Sequence, residues 1–202
     1  AYGWVPPPYP LISGSTMDLA ELTSLIAQPS DANCSVRLSG RVCFDSRLVQ
    51  PGDVFVAVAG THADGHDFVP QAQAQGASAI VAERTLSVGP DVPLVKVSSS
   101  AVALGKLAQA QHGRPAAELT NLAVTGTNGK TTVAYLTRAI MAQAGLPCGM
   151  IGTVEYDVGS GVLEADNTTP DALQLARMMR QMRDNDVGAM VMECSSHGLD
   201  QD

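Results

Sequence analysis

The stretch Gly126-Thr127-Asn128-Gly129-Lys130-Thr131-Thr132 constrains this chain more than any other feature. It lies between an apolar run, Leu119 to Val124, and a helical pattern, Thr131 to Ala144, that Gly145 closes. A tight turn with two glycines lets successive backbone N–H groups point into one small volume, and a following helix adds its free amides and dipole. That is the arrangement the β- and γ-phosphates of a nucleotide require. Lys130 supplies a compact cation for those oxygens, and the Thr131 hydroxyl can ligate Mg²⁺. The full phosphate-loop pattern wants glycine at position 124, where this chain has Val124, so the match is to a variant. An ordinary turn carrying GKT by chance is the competing reading, and the strand before and helix after weigh against it.

Strand and helix patterns alternate on both sides of this turn, which predicts α/β architecture with a mainly parallel sheet. Val54 to Val58 is continuously apolar, as a strand covered on both faces should be. Phe68 to Gln75 is expected as a short helix, Ala79 to Ala82 and Val92 to Val97 as strands. Ala101 to His112 is expected as a helix with Val102, Leu104, Leu107 and Ala108 inward. Gly113 to Glu118 is the expected boundary between domains. Beyond it, the phosphate-loop helix is expected to bury Val133, Leu136, Ile140 and Ala144. Cys148 to Val154 and Gly188 to Glu193 are expected strands. Between them, Thr169 is the expected cap of a helix with Pro170 at its first position, Asp171 in its first turn, and a stripe of Leu173, Ala176, Met179 and Met182.

Charge narrows the partners. Twelve basic residues against twenty acidic ones give a formal charge of -8, and no basic stripe offsets it, which argues against nucleic acid. No apolar run is long enough to span a bilayer. Polyphosphate binding must therefore be local. Four scattered cysteines (Cys34, Cys43, Cys148, Cys194) without a CxxC pair suit reduced thiols and a cytoplasmic address. Residues 1–16 are Pro-rich and hold the only tryptophan. They are expected to be an expression leader with Met17 as the natural start, against a Pro-rich arm packing through Tyr2, Trp4 and Tyr9.

Several segments together bring a family into view. Asp45-Ser46-Arg47, Pro51 to Ala57 and Asp64-Gly65-His66-Asp67-Phe68 resemble the amino-terminal domain of Mur ligases, and Thr125 to Thr132 resembles their ATP loop. Asn167-Thr168-Thr169-Pro170-Asp171 and Met192 to Gln201 are most similar to the MurE branch, which adds the third peptide residue, rather than to MurF. The resemblance covers residues 17–202. It implies a Rossmann-like UDP-muramyl-peptide-binding domain over 17–113, followed over 114–202 by the first part of a P-loop ATPase-type central domain, truncated at residue 202.

The resemblance further implies an ATP-dependent amide-forming ligase of cytoplasmic peptidoglycan synthesis, using Mg²⁺ and working as a monomer. It would join a diamino acid, meso-diaminopimelate or lysine, to UDP-N-acetylmuramoyl-L-alanyl-D-glutamate through an acyl phosphate. Gly126, Thr127, Asn128, Gly129, Lys130, Thr131 and Thr132 would cradle ATP, with Lys130 catalytic. Thr131 and Glu193 would be the Mg²⁺ ligands. Phe44, Ser46, Thr61, His62 and Ala63 match positions that hold the uridine diphosphate end, and Asn167, Thr168, Thr169, Ser195 and Gln201 the muramyl peptide.

Other chemistries fare worse. His62 and His66 are four apart, but the surrounding THADGHDF is loop-like, so His62 is expected beside the nucleotide and His66 in solvent rather than both on a metal. Ser195, Ser196 and His197 are adjacent in sequence, which is not how a hydrolase triad is assembled. The family's carbamylated lysine and its amino-acid-reading domain are expected beyond residue 202, so the chain alone is not expected to complete ligation. Another Mur-type ligase such as MurF, or a non-catalytic UDP-sugar-binding module, remain the alternatives.

Overall fold

The computed structural model describes residues 17–18, 37–38, 40–60, 63–165 and 168–196. Strands β1 (Met17–Asp18) and β2 (Arg37–Leu38) pair antiparallel. The first parallel sheet then runs in sequence order: β3 (Val42–Cys43), β4 (Val54–Val56), β5 (Ala79–Ala82) and β6 (Leu94–Lys96). Its apolar runs are covered on both faces, as buried parallel strands require. Val54, Val56, Ala79 and Val81 face Leu104 and Leu107 of α2 (Ser100–Gln111). Phe55, Ala57, Ile80 and Ala82 face Val69 and Ala72 of α1 (Val69–Ala74). This alternation follows from the two-residue period of a strand.

The α2 stripe differs from expectation by one residue. Val102 is 47% exposed, whereas Ala103 and Ser100 are buried. Ser99 caps the helix by accepting from the Val102 amide, and Ala103, Leu104 and Leu107 pack on the sheet. The expected Phe68 to Gln75 helix begins earlier, as a 3₁₀ turn over Gly65–Phe68 that Asp64 caps.

After a turn in which Arg114 adopts a left-handed φ of 57°, the second sheet has the order β10-β9-β8-β11-β7. Its members are β7 (Thr120–Val124), β8 (Cys148–Ile151), β9 (Glu155–Asp157), β10 (Val162–Glu164) and β11 (Ala189–Glu193). Strands β7, β11 and β8 are parallel, while β8, β9 and β10 form an antiparallel meander. The strand expected over Cys148 to Val154 ends at Ile151: residues 152–154 form a turn, and β9 starts beyond the expected span.

Helix α3 (Lys130–Gln143) buries Ala134 alone. Contrary to the sequence expectation, Val133, Leu136 and Ile140 are 47%, 58% and 67% exposed, and Ala144 is exposed too. The helical spacing is sound, but β7 is half open and no described element covers that side of α3.

Helix α4 (Ala172–Asp184) buries Ala176, Met178, Met179 and Met182. Its cap is Asp171, whose carboxylate accepts from the Gln174 amide, not Thr169 as expected. Helix α4 also packs against the first half of the fold: Ala172 and Leu173 lie against the first core, and Gln109 of α2 donates to the Met179 sulfur at 3.4 Å.

Candidate functional site

The turn from β7 into α3 is built by backbone conformation. Gly126 has φ 148° and Gly129 φ 79°, the latter in the left-handed region that side chains other than glycine rarely enter. Gly129 is the residue before the helix, and no side chain caps that helix start. Its first-turn amides are therefore free to meet an anion. Residues Thr125 to Gly129 are exposed. Lys130 folds its ammonium back over the turn and donates to the Gly126 carbonyl at 2.9 Å. An ammonium carries three donors, so this contact leaves capacity for phosphate oxygens.

Parallel pairing brings the second half of the site. Register sets Glu193, the last residue of β11, beside Val124, the last residue of β7. The Cys194 amide continues the ladder by donating to the Val124 carbonyl at 2.9 Å. Glu193 is 1% exposed, and the Thr131 hydroxyl donates to its Oε2 at 2.9 Å. The two residues expected to share a metal are therefore in direct contact although 62 positions apart.

Two participants carried no sequence signal. Thr153 donates its amide to Glu193 Oε1 at 3.1 Å and its hydroxyl to Oε2 at 3.2 Å. A Cβ added to Gly152 would stand 2.5 Å from the same Oε1. The break between β8 and β9 is a seat for this carboxylate, visible only once the strands are paired.

Thr169 and Ser195 also converge here. Their hydroxyl oxygens are 3.4 Å apart, and the Ser195 amide donates to Thr169 Oγ1 at 3.3 Å. Thr168 is half-buried beside them in sequence. Asn167 and Gln201 lie outside the described residues.

In the first sheet, Phe44 and Ser46 follow β3, and Ala63 belongs to the loop after β4. Both loops stand at the carboxyl ends of parallel strands, where open α/β sheets collect ligands. Phe44 is exposed, whereas Ser46 is buried and bonds Gln71 at 3.0 Å. Ala63 accepts from the Gly60 amide, and Thr61 and His62 lie outside the described residues. His66, expected in solvent, is 5% exposed. The reason is local: its Nδ1 meets Asp64 Oδ1 at 2.6 Å, and its Nε2 accepts from the Glu83 amide at 3.0 Å. Glu83 in turn accepts from the amide and hydroxyl of Ser100, at 2.7 and 2.8 Å. The Ser100 amide bond, then the hydroxyl bond, hold the Glu83 carboxyl below its usual range. Among the described residues, no cluster of three or more His, Cys, Asp or Glu side chains could hold a metal by itself.

Residues 41–112 match the Mur ligase family catalytic domain, and residues 124–202 the Mur ligase middle domain. The chain belongs to the Mur ligase family. A Geobacillus kaustophilus relative named UDP-N-acetylmuramoyl-L-alanyl-D-glutamate–2,6-diaminopimelate ligase is 49% identical over 157 residues, covering 78% of this chain and 32% of its own length. A Geobacter sulfurreducens relative of the same name is 38% identical over 184 residues, covering 91% and 36%. This Mur ligase chain thus spans about a third of the length of the curated relatives it matches. A solved structure of a ligase of that name superposes with a TM-score of 0.67 at 27% identity, over 93% of this chain and 37% of the other. A MurF from Acinetobacter baumannii shares the fold, with a TM-score of 0.56 at 24% identity over 90% and 36%. Among the described residues, no helix is long and apolar enough to cross a membrane.

Proposed function

We propose that the chain holds the nucleotide and the muramyl-peptide substrate of an ATP-dependent carboxylate–amine ligase of cytoplasmic peptidoglycan synthesis. The substrate is UDP-N-acetylmuramoyl-L-alanyl-D-glutamate. Of the two diamino acids left open by the sequence, the names of the relatives favour 2,6-diaminopimelate. The observation that carries the reading is the Thr131–Glu193 contact beside an uncapped helix start.

A carboxylate is a poor acylating agent. In the proposed reaction a carboxylate oxygen of the D-glutamyl residue attacks the γ-phosphorus and ADP leaves. The amine nitrogen then attacks the acyl carbon, phosphate departs, and the amine loses a proton. The protein's part is positioning and charge neutralisation. The free amides of the Gly126 to Thr132 turn hold the phosphates, and Lys130 lowers the repulsion between two approaching anions. Thr131 and Glu193 offer a hydroxyl and a carboxylate, the hard oxygen donors that suit Mg²⁺. That ion commonly takes one or two carboxylates together with substrate phosphates and waters. When bound, Mg²⁺ supplies further neutralisation of the phosphate charge. Thr168, Thr169 and Ser195, with Asn167 and Gln201, are assigned to the peptide end. Phe44, Ser46, Thr61, His62 and Ala63 are assigned to the uridine diphosphate end. We take residues 17–113 and 114–202 as the two domains, acting within a monomer.

Thermal unfolding with added ligand tests this reading. Mg-ATP and the UDP-muramyl dipeptide should each raise the midpoint, by the equivalent of about 2.7 kcal/mol at a hundredfold excess over Kd. Unmoved midpoints with both ligands would discard the proposal.

A further inference from the structure

Glu193 is a buried carboxylate that, among the described residues, forms no ion pair. Its recorded side-chain partners are the Thr131 hydroxyl and two donors from Thr153. Burying an uncompensated charge is costly, and three neutral donors soften that cost without cancelling the charge. The geometry of the three is informative. The Thr153 amide takes Oε1, and its hydroxyl and that of Thr131 share Oε2. Two donors from one residue fix both the plane and the rotation of the carboxylate. Gly152 leaves the space in which Oε1 rests, since a Cβ there would stand 2.5 Å away. A hydroxyl has one proton and two lone pairs. Once Thr131 spends its proton on Glu193, its lone pairs remain for a cation.

We propose that Thr153 is a positioning residue that clamps Glu193 so that Thr131 and Glu193 together present oxygen ligands to a nucleotide-bound divalent cation. The inference rests on the nucleotide reading above and assigns a role to the β8–β9 turn, which that reading does not use. Thr153 touches neither phosphate nor cation in this scheme. It acts through Glu193.

The test is Mn²⁺ binding to the chain in the presence of ADP, read from the electron paramagnetic resonance signal of free Mn²⁺. Metal-free ADP binding is measured in parallel by calorimetry. Thr153→Val removes the hydroxyl and keeps the shape. It should weaken Mn²⁺ binding about 10-fold, as loss of a partner behind a metal ligand does, and leave metal-free ADP affinity unchanged. Thr153→Ser restores the hydroxyl and should restore Mn²⁺ affinity. Thr153→Val binding Mn²⁺ as tightly as the unsubstituted chain would overturn the clamp while leaving the nucleotide reading intact. Thr153→Ser binding as weakly as Thr153→Ala would do the same, even if the Thr153→Val chain failed to fold. An unsubstituted chain that binds no ADP overturns the nucleotide reading and the clamp with it.

Discussion

The two larger sheets prepare their ligand-facing loops in opposite ways. Above the first, side chains do most of the organising: the His66 ring bridges the Asp64 carboxylate and the Glu83 backbone amide, and the Glu83 carboxylate reaches on to Ser100. At the phosphate turn of the second, backbone does it: two glycines with positive φ and an uncapped helix start. The first sheet is sealed on both faces, while α3 and β7 of the second stay largely open. The lesson is that a phosphate-binding turn needs little core beneath it, because its donors come from peptide groups already fixed by local conformation. A crevice assembled from side chains depends on the packing that aims them.

Four substitutions press on this contrast. Phe55 is fully buried in the sealed sheet, so Phe55→Ala should cost about 3–5 kcal/mol in denaturant unfolding. A loss below 1 kcal/mol would mean the seal matters little. Lys130→Ala should remove the stabilisation by ATP, about 2.7 kcal/mol at a hundredfold excess over Kd, and spare the shift given by UDP-muramyl dipeptide. Loss of both shifts would contradict separate loops on separate sheets.

Glu83→Gln should cost about 1 kcal/mol at neutral pH, through weaker bonds to Ser100. Because the carboxyl of Glu83 titrates below its ordinary 4.5 in the folded chain, its stabilisation is fully present above that value. It is lost as pH falls through the folded value. The two chains should therefore converge in acid. An equal gap at all pH values would place the effect elsewhere. The smallest effect belongs to α3: Ile140, 67% exposed, should tolerate Ile140→Ala within about 0.5 kcal/mol, and a large loss would show a covered face.

Much of this was legible in the residues. Apolar runs over Val54 to Val58 and Ala79 to Ala82 specify buried parallel strands by themselves, and the GTNGKTT turn carries its backbone demands in its glycines. Thr131 is legible as a metal ligand in the phosphate loop itself, Glu193 only through the resemblance, and register explains their meeting. What stayed hidden depends on tertiary neighbours. Val133, Leu136 and Ile140 have helical spacing whether or not anything lies against them. His66 looks like a loop residue until Glu83 is folded over it. Thr153 shows no pattern at all, because its partner is 40 positions away. Thr169 has the composition of a helix cap, yet Asp171 takes that task and frees it to meet Ser195.

One feature of the second sheet reaches beyond ligand binding. Among the described residues, β7 has a partner on one side only, and its side chains are mostly exposed. An unpaired strand edge is a template for another strand. Chains kept crowded in solution can therefore adhere through this margin while each stays fully folded. Turbidity that grows with concentration, without any change in circular dichroism, would be its signature.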